Sequence, residues 1–237
     1  MFIKWNTDPV EPRDEKDMVD FTLEDIELEN QNNFFQDIKK NILSAKKLEK
    51  SQNLIQDKAL NKNTKNSVPV YTGASEALCY IDKNQYYSKL FIPDKNNPDI
   101  SFANNGDGSS GRNFHIHYAP YYVNQERTII SFADIENISS KFIYYQIKDM
   151  RVKFNMNRNN RPTAKALIEN KFIFNVKIPK PLTTKTKTYT SYEVQEAIVS
   201  FIDRFYRWKA NVEKWIGILR SDLDAIENGY LYKTFKG

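Results

Sequence analysis

The hydrophobic pattern changes period along the chain. Between residues 32 and 57 the apolar residues Phe35, Ile38, Ile42, Ala45 and Leu48 recur at helical spacing, with Lys39, Lys40, Lys46, Lys47 and Lys50 between them. This predicts an amphipathic helix with a basic flank. The polar run 61–67 breaks the pattern and predicts a loop. From 68 to 178 the texture shifts to short aromatic and β-branched runs at 68–71, 77–81, 89–92, 100–103, 114–118, 121–123, 128–132 and 172–178. Separated by Asn, Asp, Gly and Pro, they predict a β-rich core of mostly antiparallel strands. Helices are predicted at 139–150, where Phe142, Ile143, Ile147 and Met150 share a face, and at 161–169. The class is α+β. Residues 179–191 hold two prolines and no periodicity, as a linker or an ordered crossover would.

The strongest periodicity follows. Val194, Ile198, Phe201, Phe205, Trp208, Val212, Trp215 and Leu219 are spaced alternately four and three residues apart, and Leu223 and Ile226 continue the stripe after a one-residue slip. That is coiled-coil spacing, on a helix predicted from Ser191 to Asn228 with Gly229 as its C-terminal cap, roughly 55 Å long. Such a stripe packs either on the chain's own core or on a helix of a partner. Four aromatic rings on one seam favour the partner.

Composition sharpens this picture by partition. The net charge is +5, but residues 1–37 carry eleven acids and three bases, a net of −8, leaving +13 for the remaining 200 residues. The acidic segment fits a solvated arm, or a docking surface or shield for something basic; the body suits a polyanion. One cysteine and two histidines argue against disulfide scaffolds and zinc modules. No apolar run approaches the 18 residues of a membrane span, and the N-terminus lacks the apolar core of a signal peptide, so a cytoplasmic protein is expected.

Candidate chemistry is sparse. Three of the seven glycines, Gly106, Gly108 and Gly111, lie in one loop with Asn104, Asn105, Asp107, Ser109, Ser110 and Arg112. The spacing is nominally GxGxxG, but a strand follows it rather than a helix, and no Walker lysine is present. The loop is either a long hairpin turn or a surface that lets backbone approach a ligand. His115 and His117 alternate on one strand as two metal ligands could, yet no third ligand stands near them in sequence; a satisfied strand pair is the simpler reading. Cys79 fits a small buried hydrophobe. The Asn-Pro-Asp string at 97–99 is not the amino-methyltransferase motif, and no catalytic set, cofactor or metal site is expected. Arg158, Arg161 and Lys165, interleaved with Asn157, Asn159 and Asn160, form either a solvated basic loop or a mixture of phosphate-binding cations and side chains able to read base edges.

Several segments occur in an order that resembles the target recognition domain of type I restriction-modification specificity subunits, and the related specificity regions of type IIB and IIG systems. They are Phe21-Thr-Leu-Glu-Asp-Ile26, Val68-Pro-Val-Tyr-Thr-Gly-Ala-Ser-Glu76 with Tyr80-Ile-Asp-Lys83, the glycine-rich turn before Asn113-Phe-His, Phe142-Ile-Tyr-Tyr145, Arg161-Pro-Thr-Ala-Lys-Ala-Leu167 and Ile178-Pro-Lys-Pro181. The helix from Tyr192 onward is similar to that family's spacer helix. The resemblance implies a non-catalytic module whose loops read one half of a bipartite site in double-stranded DNA, while the long helix pairs with another and docks the methyltransferase (modification) subunit and, in some systems, the restriction subunit. It implies an acidic arm at 1–20, a recognition domain at 21–182, a linker at 183–190 and a spacer helix with a short tail at 191–237. DNA-contacting residues are then expected in three loops: Thr72 and Ser75; Asn104, Asn105, Asp107, Ser109, Ser110 and Arg112; and Arg158, Asn160, Arg161 and Lys165. The helix would pair through Val194, Ile198, Phe201, Phe205, Trp208, Val212, Trp215, Leu219, Leu223 and Ile226. A full subunit of that family carries two such domains and two helices, whereas this sequence shows one of each. It would therefore work as a half-subunit homodimer or as one recognition half of a larger polypeptide. The alternative from a different class is a protein-interaction or inhibitory module that acts through the helix without reading DNA.

Overall fold

The computed structural model describes residues 20–29, 40–44, 48–49, 51–103, 113–124, 127–155 and 176–235, with side chains described for these except 44, 149–155 and 227–235. In chain order the strands are β1 (Leu28–Glu29), β2 (Ile42–Ser44), β3 (Ser67–Tyr71), β4 (Ala77–Asp82), β5 (Asp99–Ala103), β6 (His115–His117), β7 (Tyr122–Val123), β8 (Arg127–Ile130), β9 (Ile178–Pro179), β10 (Leu182–Thr183) and β11 (Thr188–Tyr189). The helices are α1 (Gln52–Gln56), α2 (Ser140–Asn155) and α3 (Ser191–Phe235). Residues 20–196 form one compact unit, and the chain from Ala197 onward belongs to a second. The fold is α+β with a long C-terminal helix.

In the first unit, an antiparallel sheet runs β2-β8-β5-β6. Every residue of β5 is buried, as expected of an inner strand covered on both faces. A second sheet runs β4-β3-β7, with β3 antiparallel to β4 and parallel to β7. Pro69 has no N–H to give, and it sits where β3 has only β4 beside it, because β7 joins at Val70 and Tyr71. Tyr122 packs with Leu48, Ile55, Val68, Val70 and Ile81, whereas its neighbours Tyr121 and Val123 pack with Ile129. The period of two along β7 thus serves two cores from one short strand.

The ends of this unit meet. β1 pairs with β9, and Lys180 bridges to Glu27 at 2.9 Å. Residues 179–191, left open as linker or crossover, are ordered: β10 and β11 form a hairpin. Asp20 binds it, accepting from the hydroxyls of Thr184 and Tyr189, each at 2.7 Å, and from that of Thr186. These bonds, Thr186 foremost, lower the Asp20 pKa to about 2.

Helix α3 begins in a capping box centred on Thr190 rather than Ser191. The Thr190 hydroxyl accepts from Glu193 N–H at 3.2 Å, and the Glu193 carboxylate accepts from Thr190 N–H at 2.8 Å. Lys187 adds a 2.8 Å ion pair and is the main cause of a Glu193 pKa near 2. One turn on, fully buried Gln195 accepts from Ser139 N–H at 2.9 Å and donates to the Asn137 carbonyl at 3.2 Å. It fixes the entrance to α2, where the Ser139 hydroxyl accepts from Phe142 N–H. Gln195→Ala strands both backbone groups and is expected to cost roughly 1–3 kcal/mol in urea unfolding. A change below about 0.5 kcal/mol would mean that water replaces the side chain without penalty.

Three expectations are corrected. The helix expected over 32–57 is not continuous: among the described residues Lys40 is helical, 42–44 is a strand and helix returns at 52–56, because pairing of Ile42 with Ile130 and Leu43 with Ile129 outweighs local periodicity. Residues 32–39 of that stretch lie outside the described residues. The strand expected at 89–92 reduces to one bridge, Phe91 to Tyr121, after a 3-10 turn at Tyr87–Lys89. Gly229 does not end α3, which runs on to Phe235; one glycine costs about 1 kcal/mol against alanine, too little to stop a long helix. The helix expected at 161–169 lies outside the described residues.

Candidate nucleic-acid interface

Residues 72–76 connect β3 to β4. Thr72 and Gly73 are buried, while Ala74, Ser75 and Glu76 are exposed. Of the two candidates in this loop, Ser75 thus faces solvent and Thr72 lies at its root. The glycine-rich run with Asn104, Asn105, Asp107, Ser109, Ser110 and Arg112, and the run with Arg158, Asn160, Arg161 and Lys165, lie outside the described residues. The glycine-rich run is flanked by β5 and Asn113. Asn113 has φ 54°, a left-handed conformation that Asn tolerates, and its Nδ2 donates to the Gly73 carbonyl at 2.6 Å. The end of one candidate loop is thereby tied to the root of another.

Beneath this junction lies Arg127, the first residue of β8 and fully buried. Its Nε donates to the Ser101 hydroxyl at 3.1 Å. Nη1 donates to the carbonyls of Thr72 at 2.7 Å and Ala74 at 3.3 Å, and Nη2 to those of Ser101 at 3.2 Å and Asn113. Each of the five guanidinium N–H groups has an acceptor. Among the described residues no carboxylate pairs with it, and burial lowers its pKa to about 10, so it is charged at neutral pH.

The two histidines of β6 complete this polar core. His117 Nε2 lies 2.6 Å from the Ser101 hydroxyl, and its ring stacks on Tyr121 with centroids 3.7 Å apart. Ser101 accepts from Arg127 and can give its own proton to Nε2, which suits a neutral ring protonated at Nδ1. Burial, aided by the Arg127 charge, lowers the pKa of His117 to about 2 and that of His115 to about 4. The Tyr71 ring contacts both, at 4.6 Å from His115 and 4.9 Å from His117. Tyr121 donates to Asp99 at 2.9 Å, and burial raises that carboxyl above its ordinary pKa. Among the described residues no group of three His, Cys, Asp or Glu is placed to hold a metal. Cys79 is half-buried against the first core, which pushes its thiol pKa up.

Sequence reasoning did not single out Arg127, Ser101 or Asn113. The one trace is an arginine directly abutting the apolar strand Thr128-Ile-Ile130.

On α3, Val194 is buried and Ile198 and Val212 are half-buried. Phe201, Phe205, Trp208, Trp215, Leu219, Leu223 and Ile226 are exposed, with Trp208 at 61% and Ile226 at 65%. The Phe205 and Trp208 rings lie 6.0 Å apart on one face. No helix of the described residues is long and apolar enough to cross a membrane.

The chain shares its fold with one solved in work on complex assembly and conformational transition of the type I restriction-modification system, with TM-score 0.54 and 14% identity over 84% of this chain and 45% of that one. It is also similar to the S subunit of a type I restriction-modification system from M. genitalium, with TM-score 0.45 and 14% identity over 73% of this chain and 39% of that one. The chain thus spans less than half the length of either. No family model and no curated protein matches its sequence.

Proposed function

We propose that this chain is a specificity subunit, or half-subunit, of a restriction-modification system. It reads one half-site of double-stranded DNA and positions a methyltransferase subunit and, where present, a restriction subunit, with no catalysis of its own. The carrying observation is an α+β unit, of a fold found in the type I system, that ends in a helix whose heptad seam is exposed. In this reading residues 21–182 recognise DNA, 183–190 join, and 191–237 form the spacer through which two copies pair; the 1–20 arm stays off the polyanion. The +13 body supplies phosphate attraction, and the loops at 72–76, 104–112 and 157–165 supply base contacts.

The test is binding by the complex with modification subunits to its target duplex and to random duplex. Arg112→Ala or Arg161→Ala should cost about 1–3 kcal/mol on the target alone if that side chain grips a guanine. Equal weakening on every sequence would make it a phosphate anchor. A wild-type complex with no preference between duplexes would leave only protein docking through α3, the interaction-module reading.

A further inference from the structure

We propose that Arg127 is a positioning residue for sequence readout, setting the spacing between the 72–76 loop and the two ends of the glycine-rich run. This rests on the DNA-reading function proposed above. Its contacts single it out. One rigid guanidinium binds the Thr72 and Ala74 carbonyls in one loop, Ser101 in β5 ahead of the glycine-rich run, and Asn113 directly after it. These segments are far apart in sequence, and β3 and β5 lie in different sheets, so strand pairing alone does not fix their separation. Asn113 adds a parallel strut to Gly73 at 2.6 Å.

The chemistry points the same way. With all five N–H groups engaged and no exposed surface, Arg127 cannot itself touch a base or phosphate. A buried cation without a carboxylate is a poor way to stabilise a core, since an apolar side chain of similar volume avoids the desolvation. What the apolar replacement cannot do is hold carbonyls from several segments at fixed distances. A lysine cannot either: it keeps the charge but offers a point donor in place of the planar fork. Base recognition requires hydrogen-bonding groups to be placed within a fraction of an ångström, whereas phosphate attraction tolerates looser placement.

The experiment compares wild type, Arg127→Lys and Asn113→Gly, each as the full chain in complex with the modification subunits. Two readouts are taken: hydrogen exchange of the complex, and affinity for target against random duplex. The target is the motif found by mapping methylated bases. Arg127→Lys should speed exchange at 72–76 and 113–117 while leaving α2 protected. Target preference should fall about five- to a hundredfold, the range of one or more lost base contacts, with random-duplex affinity held within about twofold. Asn113→Gly keeps the left-handed backbone and removes only the strut, so a smaller loss of the same kind is expected; it decides the matter if Arg127→Lys does not fold. Unchanged exchange in the loops, uniform loss across the unit, or loosened loops with intact preference would each overturn the proposal and leave the function standing. A wild-type complex without target preference would instead overturn the function, and the role of Arg127 in readout with it.

Discussion

Moving the protein from pH 6.5 to pH 4.5 is expected to cost the globular unit about 2 kcal/mol through His117 alone, the slope approaching about 1.4 kcal/mol per pH unit once the unfolded histidine is mostly protonated. The folded-state pKa is depressed by burial to about 2 against 6.5 for the free side chain. Between those values the unfolded chain binds a proton that the native state refuses. Stability is therefore fully present above pH 6.5 and falls as the pH drops. His115, held near 4, adds to the same trend by a smaller amount, since its partial exposure lets solvent screen the charge. Asp99 acts oppositely: its raised pKa means that the native state takes up the proton first, which offsets part of the loss at the acid end. Arg127 stays charged throughout and opposes protonation of both rings. Urea unfolding at the two pH values, for wild type and His117→Gln, isolates the His117 contribution as the difference in slope. Parallel slopes would show that His117 titrates normally and that the core around Ser101 and Arg127 is open to water.

The second large effect concerns the helix. Replacing Trp208 or Trp215 by Ala should weaken pairing through α3 by about 2–4 kcal/mol, roughly 30- to 1000-fold in dissociation constant. Both rings are more than half exposed in the single chain, and each lies at an a or d position of the seam, where a facing helix buries it. Sedimentation of wild type across a concentration series should show a dimer that either substitution shifts to monomer. Lys209→Ala, on the polar side in an i,i+4 pair with Glu213, should change the dissociation constant less than about threefold. If the tryptophan variants and wild type sediment alike as monomers, the seam meets a different chain or none.

Much of the fold was legible because the informative signals were local. The runs at 68–71, 77–81 and 100–103 are β-branched and aromatic, bounded by turn formers, and each is a strand. The α3 seam needs only its own spacing to be read. The failures share a physical cause: the deciding partner is distant in sequence. Ile42, Leu43 and Ser44 pair with Ile130, Ile129 and Thr128, and nothing near them announces it. The same holds at the candidate interface. Thr72 and Ser75 are expected at the interface on the resemblance of their segment alone, and of the two only Ser75 is exposed. Arg127 escaped notice because arginine is ordinarily a surface residue, and its burial depends on carbonyls from three separate segments. His115 and His117 read as a strand pair, and they share the Tyr71 ring; the stacking of His117 on Tyr121 and its bond to Ser101 emerge only when β5 and β6 are side by side.

The central claim, that this chain directs modification to a DNA sequence, is tested most directly by mapping methylated bases across the host genome with and without it. The account predicts that one bipartite motif, two short defined halves separated by a fixed spacer, loses methylation when the chain is removed and regains it when the chain is restored. An identical methylation pattern in both genomes would contradict it.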